Sequence, residues 1–411
     1  MIKLLDKKNL IILFPILFVL FPKPGVFGLE PSFYVVLLFC LAISSVYFIV
    51  KSKINKSLII HTLLLLIILS TIYISYFFST GSEFIDLLKE TLKYILIILV
   101  FVNSYMIGII FKEESIYNKL IMFALIALFA QIIFVFTQML DMQIFNYFYS
   151  MYKSRPIGGM LRVVGTLINP NLFSWIVMQL AVLILLLIKN KLKILLILLC
   201  FILIFLSGSR SSLVIFPLLI AFVYLIKNKK GIKFYFIQLP IIFISLSAFS
   251  IVAYKFLEKY QEYFPYLAQI LSIFQSGELN SVNSYSLRLG MWNNGWYLFN
   301  NRPGFIKYLF GIGPNKIAVM DNDFLISYIN NGMVYTILIY GFVLYLLFRS
   351  LFIQNEIFKI LLIQCIVFTL IISFQSDTLT GWNYPLFIMF FAGLTLGNDF
   401  RNKEMKLKGD N

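Results

Sequence analysis

The chain has 411 residues, of which 61% are hydrophobic and only 13% charged, with a mean hydropathy of +0.92. A soluble domain of this size cannot cover so much apolar surface, so the composition excludes that class and predicts a bilayer around most of the chain. The net charge of +16 would suit nucleic acid, but its distribution along the chain predicts membrane topology and no nucleic-acid partner.

Apolar runs of about membrane-spanning length follow one another along the chain. Because a backbone in lipid must satisfy its own hydrogen bonds and strict alternation is nearly absent, each run predicts an α-helix. The sequence therefore predicts an all-α polytopic membrane protein, a single transmembrane domain over 1–411 with about twelve helices. The runs lie near 9–22, 32–50, 58–78, 92–111, 119–140, 171–188, 192–206, 212–226, 234–256, 332–348, 359–375 and 384–397.

Lys and Arg collect in the segments that this arrangement places on one side. With both termini cytoplasmic, those segments hold 21 of the 34 basic residues but only 7 of the 18 acidic ones. An excess of Lys and Arg in short connections is what the positive-inside rule requires, so it predicts both termini inside. Two long outer loops remain, 141–170 and 257–331, the larger between the ninth and tenth helices, and long ordered loops are uncommon unless functional.

Three smaller features are interpreted as structural. The segment 82–93 has helical spacing and predicts a helix along the outer interface before the fourth span. The single histidine, His61, falls in the middle of the third span and is interpreted as a packed or hydrogen-bonded helix residue. All three cysteines fall inside apolar runs, which excludes a disulfide framework or a zinc cluster.

Arginine is distributed differently from lysine. Five of the seven arginines fall outside, against the trend that the positive-inside rule sets: Arg155, Arg162, Arg210, Arg288 and Arg302. A guanidinium group binds phosphate or carboxylate through two parallel hydrogen bonds and stays charged. These positions therefore predict an anion site at the outer face.

Arg210 lies in a polar turn, 207–212, between two apolar runs of only 15 residues. At 1.5 Å per residue each run is roughly 22 Å long, shorter than the roughly 30 Å hydrocarbon core. Arg210 is therefore predicted to sink toward the membrane, where an unpaired charge is costly and an anion or a hydrated cavity is expected. Snorkelling to the headgroups, or pairing with an outer carboxylate, is the alternative.

The sixth span is predicted to begin with a cap. Asn169 suits the N-cap and Pro170 the first helical position, and the topology points this helix N-terminus outward. Its free N–H groups would then bind an anion, with Arg162 shortly upstream. A plain cap without a ligand is the alternative.

The large outer loop carries the remaining candidates. Arg288 and Trp292 lie in a helix-like stretch, and Asp321-Asn322-Asp323 comes just before the tenth span. An anion site beside the membrane suggests a lipid-linked pyrophosphate sugar, for which arginines stabilise the leaving group and Asp321 or Asp323 acts as general base. Arg288 as a surface charge and the aspartates as caps or turn residues are the alternatives. No cluster of carboxylates or histidines resembles a metal site.

Taken together, these motifs resemble the Wzy polymerase and O-antigen ligase family, and the resemblance covers about 155–345. The order of the motifs and the large outer loop before the tenth span are similar too. The motifs that carry it are Arg162-x-x-Gly165 with Asn169-Pro170-Asn171, Ser207-Gly208-Ser209-Arg210-Ser211, Arg288-x-x-x-Trp292, Phe310-Gly311-Ile312-Gly313, and Asp321-Asn322-x-Phe324-Leu325 with Gly332.

This resemblance implies a GT-C-like, metal-independent and cofactor-free inverting glycosyltransferase in the bacterial cytoplasmic membrane. Its substrate would be an undecaprenyl-pyrophosphate-linked oligosaccharide repeat unit, for O-antigen or capsule, with membrane lipid and a chain-length regulator as partners. The resemblance implies that Arg210 and Arg288 bind pyrophosphate with Arg162 beside them. It does not assign the base, for which Asp321 is the first choice and Asp323 the second. The expected supporting residues are Asn169, Asn171, Ser209, Ser211, Asn322, Arg155 and Trp292.

Two other functions remain open at this stage. Ligases of the family place a His-Asn pair where this chain has Asp321-Asn322, which favours a polymerase over an O-antigen ligase-type transferase. A lipid-linked oligosaccharide flippase would also have about twelve spans and a basic cavity. It should carry charges along mid-membrane faces and lack a folded outer loop, whereas charges here gather at the outer rim.

Overall fold

The computed structural model of the chain describes residues 41–46, 48, 55–79, 83–140, 155–157, 160–167, 169–227, 255, 283–317, 320–374 and 376–409. These ranges are helical apart from one short hairpin and the connections. The predicted span 9–22 lies outside the described residues, as do the loop segments 141–154 and 257–282, and of the predicted span 234–256 only residue 255 is described. Of the predicted span 32–50, residues 41–46 and 48 are described and are helical.

The elements follow the predicted apolar runs closely. The helices before the hairpin are α1 (Lys56–Phe78), α2 (Phe84–Ile110) and α3 (Glu113–Met139). The hairpin pairs β1 (Arg155–Ile157) with β2 (Met160–Arg162). The later helices are α4 (Pro170–Leu187), α5 (Leu192–Leu206), α6 (Arg210–Lys227), α7 (Asn283–Asn300), α8 (Ile306–Phe310), α9 (Asp323–Leu351), α10 (Glu356–Ile372) and α11 (Asn383–Gly409).

Helix length and composition make this a helical membrane protein. Within the described ranges, five helices are long and apolar enough to cross a bilayer: α1, α2, α3, α4 and α9. Helix α5 is apolar but only 15 residues long, as its short apolar run predicts. The full number of spans and the GT-C-like architecture stay predictions.

Helix α2 corrects the prediction for its first turns. Residues 84–93 do not form a separate helix on the membrane surface but belong to one continuous helix, in which Glu90 and Lys93 are buried. The two charges can enter the bundle because they pair with each other at 2.6 Å, and Lys93 Nζ also donates to Thr380 O at 2.8 Å.

Small residues bring α2 and α11 into close contact. A Cβ atom on Gly393 or Gly397 would overlap the backbone of α2, and one on Gly108 would overlap that of α11. Close backbone approach through small residues is the usual way in which membrane helices associate. His61 on α1 is also a packing residue, as predicted: it is 2% exposed and its Nδ1 lies 2.6 Å from Ser57 O.

The two ends of the bundle differ in chemistry. One end, here called the site end, gathers the connections 163–169, 207–209, 301–322 and 373–382. They are joined there by backbone hydrogen bonds such as Val163 N to Leu206 O and Asp323 N to Ser373 O. The opposite end holds Arg349 and Lys403, both paired with Asp399. The charge pattern predicts that the site end faces outward.

Helix α9 is broken at Gly332, within its first half. Gly332 adopts φ 79° and ψ −179°, which only glycine takes readily, and a Cβ atom there would overlap Leu309 O. The carbonyls of Ile329 and Asn330 are thereby freed from the helix, and they accept hydrogen bonds from Ile312 N and Gly313 N, both at 2.9 Å. The first turns of α9 therefore form a separate segment, fastened to the preceding loop.

Candidate functional site

The start of α4 has the predicted cap. Asn169 is the N-cap, its side-chain oxygen accepts from Asn171 N at 2.8 Å, and Pro170 occupies the first turn. The cap residue is exposed, so the helix N-terminus opens at the surface of the site end. Free N–H groups and the positive end of the helix dipole make such a terminus suitable for an anion.

Around this terminus lies a group of small polar side chains, here called the serine cluster: Asn171, Ser174, Ser207, Ser209 and Ser212. The Ser209 hydroxyl donates to Asn171 Oδ1 at 2.9 Å and lies 2.9 Å from the Ser212 hydroxyl. The hydroxyls of Ser174 and Ser207 are 2.7 Å apart. These contacts join the start of α4 to the α5–α6 turn, two motifs that are well separated in sequence.

Arg162 reaches the same turn from the hairpin. Its Nε donates to Ser207 O at 3.0 Å, and the next residue, Val163, donates its N–H to Leu206 O at 3.3 Å. The hairpin register places Arg155 opposite Arg162. Two of the predicted arginines therefore belong to one hairpin that is fastened to the serine cluster through Arg162.

Arg210 is the first residue of α6 and follows the serine cluster directly. The turn before it needs Gly208, whose φ of 63° lies in the left-handed region. Ser211 follows Arg210 in the first turn of α6 and is partly buried. The side chain of Arg210 is outside the described part of the chain.

The remaining candidates lie between α7 and α9. Arg288 Nε lies 3.2 Å from Asp321 Oδ2, and the two side chains are 25% and 30% exposed. Trp292, one turn further along α7, donates its indole N–H to Met320 O at 2.8 Å and so fixes the chain just before Asp321. Asp321 has a φ of 50°, the left-handed region, which turns the loop into α9.

The two residues that follow Asp321, Asn322 and Asp323, have contacts that stabilise the fold. Asn322 is the N-cap of α9 and accepts from Leu325 N at 3.1 Å. Asp323 is fully buried: Thr380 N and Thr380 Oγ1 donate to its Oδ1 at 2.9 and 2.5 Å, and the Tyr340 hydroxyl donates to its Oδ2 at 2.5 Å. Because both oxygens of Asp323 are occupied, the geometry favours Asp321 as the carboxylate that is free to exchange a proton.

A further carboxylate, Asp377, was not predicted from the sequence. It lies in the connection between α10 and α11, and its Oδ1 is buried without a hydrogen-bond partner among the described residues. Burial, together with the charges of Asp323 and Asp321, raises the pKa of Asp377 to about 7, although the backbone N–H groups of Met320 and Asn322 oppose this shift. We call Arg288 with the three aspartates the aspartate cluster.

A buried ion pair, Glu90 with Lys93, is connected to this cluster through Thr380. Lys93 Nζ contacts both oxygens of Glu90, at 2.7 and 2.6 Å, and donates to Thr380 O, while Thr380 donates twice to Asp323. Thr380 therefore links the two helices: its carbonyl oxygen accepts from Lys93 on α2, and its N–H and hydroxyl donate to Asp323 on α9. The sequence signal was the charge pair three residues apart in 82–93, but its burial depends on the fold.

The two clusters meet through aromatic rings. Trp175, the residue after Ser174 on α4, packs against Tyr384 at the start of α11, with ring centroids 4.6 Å apart. Tyr384 follows the connection that carries Asp377. The predicted residues on α4, α6, α7 and α9 thus belong to one end of the bundle, with Arg302 further out, where it donates to Phe78 O and to Gly311 O.

Comparison of the chain with models of protein families and with curated proteins finds no match. Among the described residues, no three His, Cys, Asp or Glu side chains come together in a group that could hold a metal ion.

Proposed function

We propose that the chain is a glycan polymerase. It joins undecaprenyl-pyrophosphate-linked oligosaccharide repeat units at the outer face of the cytoplasmic membrane, with inversion at the anomeric carbon and without a metal ion. One observation carries this proposal: a half-buried guanidinium, Arg288, lies 3.2 Å from a half-buried carboxylate, Asp321, at the end of a membrane bundle. Glycosyl transfer from a pyrophosphate is assisted by a base for the acceptor hydroxyl and by a cation for the leaving group, and this pair supplies both.

The proposed reaction divides its charges between the two groups. A hydroxyl oxygen of the acceptor sugar attacks the anomeric carbon of the donor, and the bond from that carbon to the phosphate oxygen breaks. Asp321 accepts the proton of the attacking hydroxyl, while the lipid pyrophosphate leaves with the bonding electron pair. Arg288 stabilises the negative charge that gathers on the leaving group, which is the usual role of fixed cations in such transition states.

The ion pair also explains how the site can be prepared for its substrate. Without an anion, Asp321 neutralises Arg288. An arriving pyrophosphate carries more charge and more acceptor oxygens than one carboxylate, so it displaces Asp321 from the guanidinium. The freed carboxylate then faces the acceptor hydroxyl as a base.

The serine cluster lies beside the second part of the proposed site, which binds pyrophosphate. The N-terminus of α4 and Arg162 supply hydrogen-bond donors and positive charge. Arg210, which begins α6 directly after this cluster, is proposed to complete the pyrophosphate site. In this arrangement both clusters contact the pyrophosphate, whereas the proton is handled in the aspartate cluster alone.

Reconstitution with a purified lipid-linked repeat unit as the only sugar substrate tests the proposal. Wild type should make a ladder of glycans, and Arg288→Ala and Arg210→Ala should insert normally but make none. Lys89→Ala is the matched control, because Lys89 is an exposed cation at the same end that pairs with Asp86 at 3.6 Å. It should keep the ladder.

Three outcomes would overturn the assignment. Normal ladders from both arginine variants would remove the arginines from the reaction. Transfer that requires a separate lipid or protein acceptor would identify a ligase-type transferase, and movement of the intact lipid-linked unit across the bilayer without bond formation would identify a flippase.

A further inference from the structure

The corner between α7 and α8 presents a group of uncharged, apolar and aromatic side chains to the surroundings. We call it the corner patch: Tyr297, Leu298, Phe305, Ile306 and Tyr308. Phe305 is 72% exposed and Tyr297 64%, and the other three are between 42% and 47% exposed. A contiguous apolar surface of this kind marks a site of interaction rather than a surface meant for water.

The corner is held rigidly, so the exposure of its side chains is part of the fold. Lys307 is buried beneath the patch and donates to Asn300 O at 2.9 Å and to Arg302 O at 2.5 Å, which ties α8 to the end of α7. Its ammonium group also lies 5.4 and 5.3 Å from the centres of the Phe299 and Tyr308 rings.

The depth of the corner follows from its contacts with α1. Arg302 donates to Phe78 O, at the last residue of α1, and the Phe78 and Phe310 rings stack with centroids 5.5 Å apart. Helix α1 has 23 residues. At 1.5 Å per residue it is about 34 Å long, enough to cross the roughly 30 Å hydrocarbon core. Its end, and the corner beside it, therefore lie at the level where hydrocarbon meets headgroups.

The corner patch continues the lipid-facing surface of the helices. At the same end of the bundle, Phe77 on α1 is 79% exposed and Phe84 on α2 is 67% exposed. Aromatic and aliphatic side chains at this level are typical of the belts that membrane proteins place in the interface. The neighbouring surface of α7, by contrast, exposes the polar side chains of Asn293 and Asn294.

We propose that the corner patch inserts into the lipid interface at the site end and anchors α7, and with it Arg288, to the surface of the bilayer. The occupant of the patch is the lipid leaflet itself, which explains why these rings are exposed and not covered by another element of the described ranges. The corner is then a membrane-bound rim of the aspartate cluster. This inference depends on burial, contacts and helix length, and it holds whatever reaction the site performs.

Fluorescence quenching in proteoliposomes tests the anchor. The full-length protein, with its three cysteines replaced by alanine, receives one cysteine in place of Phe305 and is labelled with a polarity-sensitive dye. Lipids with a nitroxide near the headgroup should quench this label at least about three-fold more than a label at Asn293→Cys, and aqueous iodide should show the reverse order. A label at Ile306→Cys serves as a second position if the first variant folds poorly.

Equal quenching of the labels at 305 and 293 by iodide would overturn the proposal, because the patch would then be in water. Lipid quenching at 305 that appears only at high protein-to-lipid ratios would also overturn it, since the patch would then be covered by a second copy of the chain.

Discussion

The serine cluster and the aspartate cluster lie at the same end of the bundle but are built from different chemistry. In the serine cluster, neutral hydroxyl and amide groups saturate one another, and the charge nearby is the guanidinium of Arg162. In the aspartate cluster, Arg288 pairs with Asp321, the charges of Asp321 and Asp323 act on Asp377, and Asp377 Oδ1 has no partner among the described residues. The first arrangement suits the holding of an anion, and the second suits the transfer of a proton.

Two aspartates that are close together in sequence, Asp321 and Asp323, have different surroundings and different expected roles. Asp321 and Asp323 are two residues apart, yet the first is half-buried beside Arg288 and the second is buried with both oxygens occupied. If this distinction holds, the two positions will respond to the same substitution in different ways.

The largest expected effect is on the reaction itself. Asp321→Asn should lower the rate of glycan formation by about 10²–10⁴-fold, the usual contribution of a general base, while the lipid-linked substrate still binds. Turnover of the purified variant and retention of radiolabelled substrate on proteoliposomes measure the two parts. Turnover near that of wild type would remove Asp321 from the base role and favour Asp377.

A structural effect is expected two residues further along. Asp323→Asn replaces a buried carboxylate that accepts from Thr380 and Tyr340, so it should lower the free energy of unfolding by about 2–3 kcal/mol. Thermal unfolding in detergent measures this change, with Asp86→Asn as control, because Asp86 forms an exposed surface pair. Unchanged stability combined with lost turnover would instead make Asp323 the catalytic carboxylate.

A pH-dependent effect is expected from Asp377. Its folded-state pKa is raised from 3.8 to about 7, so folding favours the protonated form. The stability that this group contributes is complete below about pH 4 and is lost as the pH rises through about 7. Asp377→Asn, which stays neutral, should remove this loss, so its unfolding temperature should fall less between pH 5 and pH 8 than that of wild type.

Parallel curves for the two proteins across that range would contradict the assignment of the raised pKa to Asp377. The comparison should be made on unfolding temperature as well as on turnover, because the unfolding temperature reports directly what Asp377 contributes to folding.

The smallest effect is expected in the serine cluster. Ser209→Ala removes a neutral hydrogen bond to Asn171 Oδ1, which is worth about 1 kcal/mol of stability. A double-mutant cycle of Ser209→Ala with Asn171→Ala measures the coupling energy between the two side chains. Ser209→Ala should leave the pH profile of turnover unchanged. A shifted pH profile would show that this cluster also handles a proton, against the division proposed here.

Much of the framework could be predicted because its signals are local. A helix cap depends on adjacent residues, so Asn169 and Pro170 could be identified from their types and order. The ends of α5 and the turn before Arg210 could be predicted for the same reason, since a change from apolar to polar residues marks the end of a span.

The missed features depend on partners that are far away in sequence. Glu90 and Lys93 look like surface charges until Thr380, almost three hundred residues later, supplies the carbonyl that Lys93 needs. Asp377 lies in a short polar connection with no motif around it, and its raised pKa results from Asp323 and Asp321 across the fold. No periodicity or local pattern contains such information.

The break in α9 has a consequence for biogenesis. A helix interrupted at Gly332 cannot enter the membrane with the carbonyls of Ile329 and Asn330 unsatisfied. Their partners, Ile312 and Gly313, precede α9 in the chain, so they are synthesised first and are already present when α9 arrives. The order of the chain thus places the hydrogen-bond donors before the segment that needs them. A circular permutant in which the large loop is synthesised after α9 should therefore assemble poorly.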